Sequence, residues 1–179
     1  MIKAVQDILS RLQYTEGTEV EIRFPVPQRL FDGLHAGFMH GRDAQHSVSE
    51  LRYSSTTDLR RVDGNWERKR VSRYERLPSP VPCRLCVCVE SPCAPAAVGK
   101  FFRTVLRRRW TYVMGSWRVE WTQSRRSCNV EVEYTGRLDA LLCAAREDDG
   151  LHDLTAPLHL VMASLACLAY GQGRKARQL

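Results

Sequence analysis

Two pairs of glutamates, each split by one apolar residue, stand near opposite ends of the chain. Glu19 and Glu21 lie in Glu19-Val20-Glu21-Ile22-Arg23-Phe24, and Glu131 and Glu133 lie in Val130-Glu131-Val132-Glu133. Between them come two further rows. Arg107, Arg109 and Thr111 alternate with Leu106, Trp110 and Tyr112, broken only by Arg108. Arg118, Glu120 and Thr122 alternate with Trp117, Val119 and Trp121. Side chains two apart on an extended chain share a face, at roughly 6.5–7 Å between Cα atoms. Carboxylates at that spacing can converge on one hard cation such as Mg²⁺ or Mn²⁺. Arginines at that spacing offer planar donor forks to phosphate. The acidic rows need a cation and the basic row needs an anion, and a divalent metal on a polyphosphate supplies both.

Such rows work only if strands carry them. An amphipathic helix is expected over about residues 2–12, ended by Thr15-Glu16-Gly17-Thr18. Eight strands follow, near 19–24, 48–53, 57–62, 66–74, 83–90, 100–113, 117–123 and 129–135, with turn signals at Asp63-Gly64-Asn65, Pro78-Ser79-Pro80 and Met114-Gly115-Ser116. Residues 29–46 stay open between a loop and a broken helix, because Gly33, Gly37 and Gly41 interrupt them. After Gly136 helical spacing returns, with Leu138, Leu141, Leu142 and Ala145 on one face and Asp148-Asp149-Gly150 closing it. A last helix is expected from Thr155, with Pro157 in its first turn, before a frayed basic tail from Gly171.

This order argues for an α+β, mainly β fold in a single domain over residues 1–179. Its strands occupy about 18–136 and its C-terminal helices about 137–170. One reading is an antiparallel sheet with one wet side. The other is a closed eight-stranded barrel, charged inside and apolar outside, braced by N- and C-terminal helices. Sorting of charge by strand favours the barrel, since a face chosen for solubility would mix signs.

Composition sets wider bounds. Among 179 residues, 44% are hydrophobic and 26% charged, which excludes a disordered or collagen-like chain. Lys plus Arg is 27 against 20 Asp plus Glu, so the formal net charge is +7. That suits nucleic acid, an anionic membrane or a phosphorylated ligand equally. The longest apolar stretch, Leu158 to Tyr170, is shorter than the roughly 18 residues a membrane span needs. No G-x-G-x-x-G, G-x-x-x-x-G-K-[ST] or G-x-S-x-G motif is present, and the five histidines show no ligand pairing beyond the His35/His40/His46 scatter. Cys83-x-x-Cys86 has the spacing of a zinc knuckle or redox pair. Yet Cys86 and Cys88 alternate with Leu85, Val87 and Val89 as on a strand, and no second pair follows, so buried free thiols in a reducing compartment are expected.

The ordered rows resemble the triphosphate tunnel metalloenzymes. Glu19-Val20-Glu21-Ile22-Arg23-Phe24 and Val130-Glu131-Val132-Glu133 look like that superfamily's paired Glu-x-Glu strands. Arg107-x-Arg109-x-Thr111-Tyr112 followed by Arg118-x-Glu120-x-Thr122 is similar to the corresponding region of the yeast-type, protozoan and viral mRNA-capping RNA 5′-triphosphatases. Glu67-Arg68-Lys69-Arg70 looks like the strand with the phosphate-binding lysine, and Arg84 to Glu90 like the strand ending in a tunnel glutamate. The chain departs from the pattern at Asn129, where a glutamate is usual, at Val105, where a cation is usual unless Arg103 substitutes for it, and at Arg107, where a lysine is usual.

The resemblance implies removal of the γ-phosphate from triphosphate-ended RNA, the first step of mRNA capping, with Mn²⁺-dependent hydrolysis of NTPs as a side activity. It implies that Glu19, Glu21 and Glu133 hold Mg²⁺ or Mn²⁺. It implies that Lys69, Arg107 and Arg109 neutralise the triphosphate, that Glu131 orients the attacking water, and that Glu90 and Glu120 hold the basic side chains. An arginine ahead of the Lys69 strand is expected to be Arg60 rather than Arg52. An RNA guanylyltransferase as partner, and residence in the nucleus or a viral replication compartment, follow from the capping role. Two other readings stay open: a small-substrate tunnel enzyme (inorganic triphosphatase, thiamine-triphosphatase or class-IV adenylyl cyclase type), and a non-catalytic basic β-sheet module binding RNA through Trp110, Trp117 and Trp121.

Overall fold

The computed structural model describes residues 1–13, 15–39, 44–54, 59–93, 101–147 and 151–175. Eight strands form: β1 (Thr18–Val26), β2 (Gln45–Ser54), β3 (Leu59–Val62), β4 (Asn65–Arg76), β5 (Arg84–Pro92), β6 (Phe101–Met114), β7 (Trp117–Ser124) and β8 (Cys128–Tyr134). They close into an antiparallel barrel in the order β1-β5-β4-β3-β2-β6-β7-β8. Every strand expected from alternation is present, and the barrel rather than the half-wet sheet is the fold.

Alternation explains the closure. Val20, Ile22 and Phe24 of β1, Trp117, Val119 and Trp121 of β7, and Val130 and Val132 of β8 face outward and are fully buried. They are covered by α1 (Ile2–Leu9), α2 (Gln28–Met39), α3 (Leu138–Ala144) and α4 (His152–Lys175). Those helices contribute Val5 and Leu9, Phe31, Leu34 and Phe38, Leu141 and Leu142, and Leu154, Leu158 and Val161 to the same core. The hydrophobic core therefore lies outside the barrel wall, between strands and helices. The lumen is left to the polar face.

Turns hold the registers. Asp63 and Gly64 both take positive φ between β3 and β4, the geometry of a two-residue hairpin. Gly17 has φ +76, and a Cβ there would sit 2.1 Å from the Glu90 carbonyl oxygen. The Glu90 amide donates to the Gly17 carbonyl at 2.8 Å, which fastens the start of β1 to the far end of β5.

Three expectations need correction or completion. Residues 28–39 form a helix, because Phe31, Leu34, His35 and Phe38 recur on a buried face while Gly33 and Gly37 lie on the exposed side. Helix α4 begins at His152, three residues before Thr155, so Pro157 lies inside it. Helical backbone also continues to Lys175, past the expected fraying at Gly171. The expected turn at Asp148-Asp149-Gly150 and the end of the basic tail lie outside the described residues. No helix among the described residues is long and apolar enough to cross a membrane.

Candidate active site

The inward faces carry the charged rows, and cross-strand register decides who meets whom. On β1, Glu19, Glu21 and Arg23 face Cys88, Cys86 and Arg84 of β5. On the other side Glu21 and Arg23 face Glu133 and Glu131 of β8. Glu131 and Glu133 in turn face Glu120 and Arg118 of β7, and Thr111 and Arg109 of β6 face Glu120 and Thr122. Across the barrel, Lys69 of β4 faces Glu90, and Arg60 of β3 faces Glu67.

Three ion-pair chains result. In the first, Lys69 Nζ lies 3.0 Å from Glu19 Oε2 and 2.5 Å from Glu90 Oε1, and Arg60 binds Glu90 at 2.5 Å and also pairs with Glu67. In the second, Arg23 bridges Glu21 at 2.5 Å and Glu131 at 2.9 Å. In the third, Arg118 bridges Glu120 at 3.1 Å and Glu133 at 2.8 Å, and Arg109 joins Glu120 at 3.2 Å. Glu19, Glu21 and Glu133 each belong to a different chain. Arg107 has no ion pair among the described residues, and its buried Nε lacks a hydrogen-bond partner.

The electrostatics follow from this crowding. Burial, then the neighbouring Glu131 charge, pushes the Glu21 carboxyl up to about 7 against the pull of Arg23. Burial also raises Glu19 and Glu120. Burial opposes ionisation of Glu90, but the hydrogen bond and charge of Lys69, with Arg60, outweigh it and hold the carboxyl below its usual range. Lys69 is kept charged, since Glu21, Glu19 and Glu90 outweigh its desolvation. Burial and then the Arg109 charge depress Arg107.

The lumen holds a cavity of about 360 Å³. Its cations are Arg23, Arg60, Lys69, Arg103 and Arg107, and Glu131 is the acid among its lining residues. Tyr53, Leu59, Val71 and Val105 make one part of its wall apolar. The space thus offers an excess of fixed positive charge beside a carboxylate cluster. An anion with several ionised oxygens suits it.

The donor chemistry also suits a hard divalent cation. Glu21 and Glu133 are direct cross-strand partners, Glu19 lies two residues along on the same face, and all three offer carboxylate oxygens, but each is held by a different cation. Among the described residues the donors grouped within 4.8 Å of one another are those of Glu19, Cys88 and Glu90. The raised Glu21 carboxyl marks a place where one more positive charge would be stabilising.

Of the expected site residues, Glu19, Glu21, Lys69, Arg60, Glu90, Arg109, Glu120, Glu131 and Glu133 all lie on the inward face, divided among these three chains, and Arg107 lines the cavity. Arg52 instead pairs with Glu50 on the outward face, so Arg60 is the lumenal arginine. Cys83 packs in the outer core, close to the Met1 sulfur, whereas Cys86 faces the cavity, so the two cannot form a knuckle. Sequence reasoning left Glu67, Tyr53 and the lumenal side of Cys86 and Cys88 without a role. Strand parity could have found them: Glu67 shares its face with Lys69, and Cys86 and Cys88 share theirs with Glu90.

The S. pombe Pct1 RNA triphosphatase in complex with the Spt5 CTD superposes with a TM-score of 0.64 at 15% identity, covering 96% of this chain and 90% of that one. The barrel shares the fold of that RNA triphosphatase. Pct1 without the CTD gives 0.63 at 16% identity over 93% and 91%. A chain of the S. pombe Mediator head module gives 0.56 at 13% identity over 82% and 95%. No family model and no curated protein matches the sequence. Because the fold also occurs in a Mediator chain, the lumenal residues rather than the barrel must carry any claim about chemistry.

Proposed function

We propose that this chain is a metal-dependent polynucleotide 5′-triphosphatase, releasing the γ-phosphate of triphosphate-ended RNA as the first step of capping. The observation that carries the reading is the cavity with five cations beside the inward-facing carboxylates of β1 and β8. Likeness in fold to the Pct1 RNA triphosphatase supports it.

In this reading Glu19, Glu21 and Glu133 hold Mg²⁺ or Mn²⁺, which supplies Lewis-acid neutralisation of a phosphate oxygen. Arg107, which makes no ion pair among the described residues, binds the triphosphate first and most directly. Lys69 and Arg109, already fixed by Glu90 and Glu120, meet it without reorganisation, and pre-set dipoles and charges of this kind are the main lever in phosphoryl transfer. Arg60 extends the same wall. Glu131 orients a water whose oxygen attacks the γ-phosphorus, and the bond to the β–γ bridging oxygen breaks. Diphosphate-ended RNA and inorganic phosphate leave. Free NTPs are side substrates with Mn²⁺. A guanylyltransferase is the partner that consumes the product, and the nucleus or a viral replication compartment is the place of work.

Phosphate release from triphosphate-ended RNA, compared with tripolyphosphate under Mg²⁺, tests this. A higher kcat/KM on RNA supports it. Preference for tripolyphosphate assigns the chain to small substrates instead, and absence of divalent-dependent turnover with retained RNA binding leaves a binding module.

A further inference from the structure

The floor of the lumen holds two thiols that the proposed chemistry does not use. Cys86 and Cys88 lie two apart on the inward face of β5, both buried and both free. The Cys88 thiol donates to Glu19 Oε2 at 3.6 Å. Its sulfur and one oxygen each of Glu19 and Glu90 all lie within 4.8 Å of one another. Cys86 stands two residues along on the same lumenal face and lines the cavity. Lys69 Nζ sits in the same place, bonded to both carboxylates.

We infer that Cys88, Glu19 and Glu90 form a second metal site, selective for a thiophilic divalent ion such as Zn²⁺ or Cd²⁺, with Cys86 available as a further sulfur ligand. The donor set differs in kind from the all-oxygen set of Glu19, Glu21 and Glu133. One thiolate and two carboxylates suit the mixed S/O coordination of borderline-soft ions, which prefer few ligands, whereas Mg²⁺ wants oxygen alone. The ammonium of Lys69 now occupies the position of such an ion and must move aside for it. Binding also releases the Cys88 proton to solvent, so it strengthens as pH rises.

The effect on turnover rests on the proposed triphosphatase reading. A soft ion at this site takes Glu19 from the hard-metal set. It also takes both counter-ions from Lys69, a phosphate ligand. Zn²⁺ is therefore an inhibitor acting from inside the tunnel, competing with Mg²⁺ for one shared carboxylate.

The test titrates Cd²⁺ alone into the full chain, kept reduced with a non-chelating phosphine, and follows the thiolate-to-cadmium charge-transfer band in the ultraviolet. The first equivalent is expected to raise the band in wild type and in Cys143→Ser, whose thiol is exposed on α3. Cys88→Ser is expected to lose it. Lys69→Met, which removes the competing ammonium, is expected to bind Cd²⁺ about tenfold tighter, an outcome that a merely misfolded variant would not produce. An equal band in Cys88→Ser, or unchanged or weaker binding in Lys69→Met, overturns the site. These readings need no substrate, so they stand even if RNA is not hydrolysed. Where turnover is present, Zn²⁺ suppresses it in wild type while Cys88→Ser resists, and equal suppression of both overturns the inhibitory role.

Discussion

Glu21 and Glu133 face each other directly across β1 and β8, yet each is neutralised by a cation from elsewhere, Glu21 by Arg23 and Glu133 by Arg118. A buried and a half-buried carboxylate in register repel, and these arginines offset that repulsion. A divalent ion binding both would release Arg23 and Arg118 toward the substrate. Glu21→Ala and Glu133→Ala are therefore expected to lower phosphate release by about 100-fold or more, with RNA binding nearly unchanged in a filter-retention assay. Full turnover in both variants would remove the metal assignment.

The Glu21 carboxyl gives a pH signature. Its folded value of about 7 lies above the unfolded value near 4.5, so the folded state binds the extra proton. Stability from this group is fully present below about pH 4.5 and is lost as pH rises through 7, on the order of 3 kcal/mol in all. In EDTA, urea denaturation is expected to show lower stability at pH 8 than at pH 5, and Glu21→Gln to flatten that difference. An unchanged slope in Glu21→Gln would place the titration on another group.

Arg107 sets binding against stability. It is half-buried, makes no ion pair among the described residues and lies beside Arg109, whose charge outweighs that of Glu131. Arg107→Met is expected to raise Tm by about 2–4 °C in metal- and ligand-free protein while raising KM for triphosphate. A drop in Tm would mean that Arg107 has a structural partner.

Three glycines separate by environment. Gly33 and Gly37 have nothing within 4 Å of an added Cβ and lie on the exposed side of α2, so Ala at each is expected to stabilise by about 0.5–1 kcal/mol. Gly17→Ala meets both a positive φ and the Glu90 carbonyl. It is expected to destabilise by about 1–3 kcal/mol and to loosen Glu90, which steadies Lys69. Chemical denaturation of the three variants reads the contrast directly.

Much of this was legible from the period-two rows. Val20, Ile22 and Phe24 set against Glu19, Glu21 and Arg23 define a strand with one apolar and one charged face, and barrel closure follows once charge is sorted between strands. Helix α2 was less legible, because Gly33 and Gly37 read as breakers until the buried face of Phe31, Leu34 and Phe38 is seen to outweigh them. The pairings were not legible at all. That Arg118 would hold Glu133, or that Lys69 would sit between Glu19 and Glu90, depends on inter-strand register, which local pattern does not encode. Cys88 was read only as a buried thiol, since burial says nothing about which side of a wall a residue faces.

Strand β1 pairs with β5 on one edge and β8 on the other, so residues near 20 wait for residues near 130 before the ring can shut. Pairings that distant make folding slow and late on the ribosome. Until the eighth strand emerges, the nascent chain carries an open, charged trough in place of a closed lumen. Truncation before Tyr134 therefore removes the enclosed cavity outright rather than trimming it.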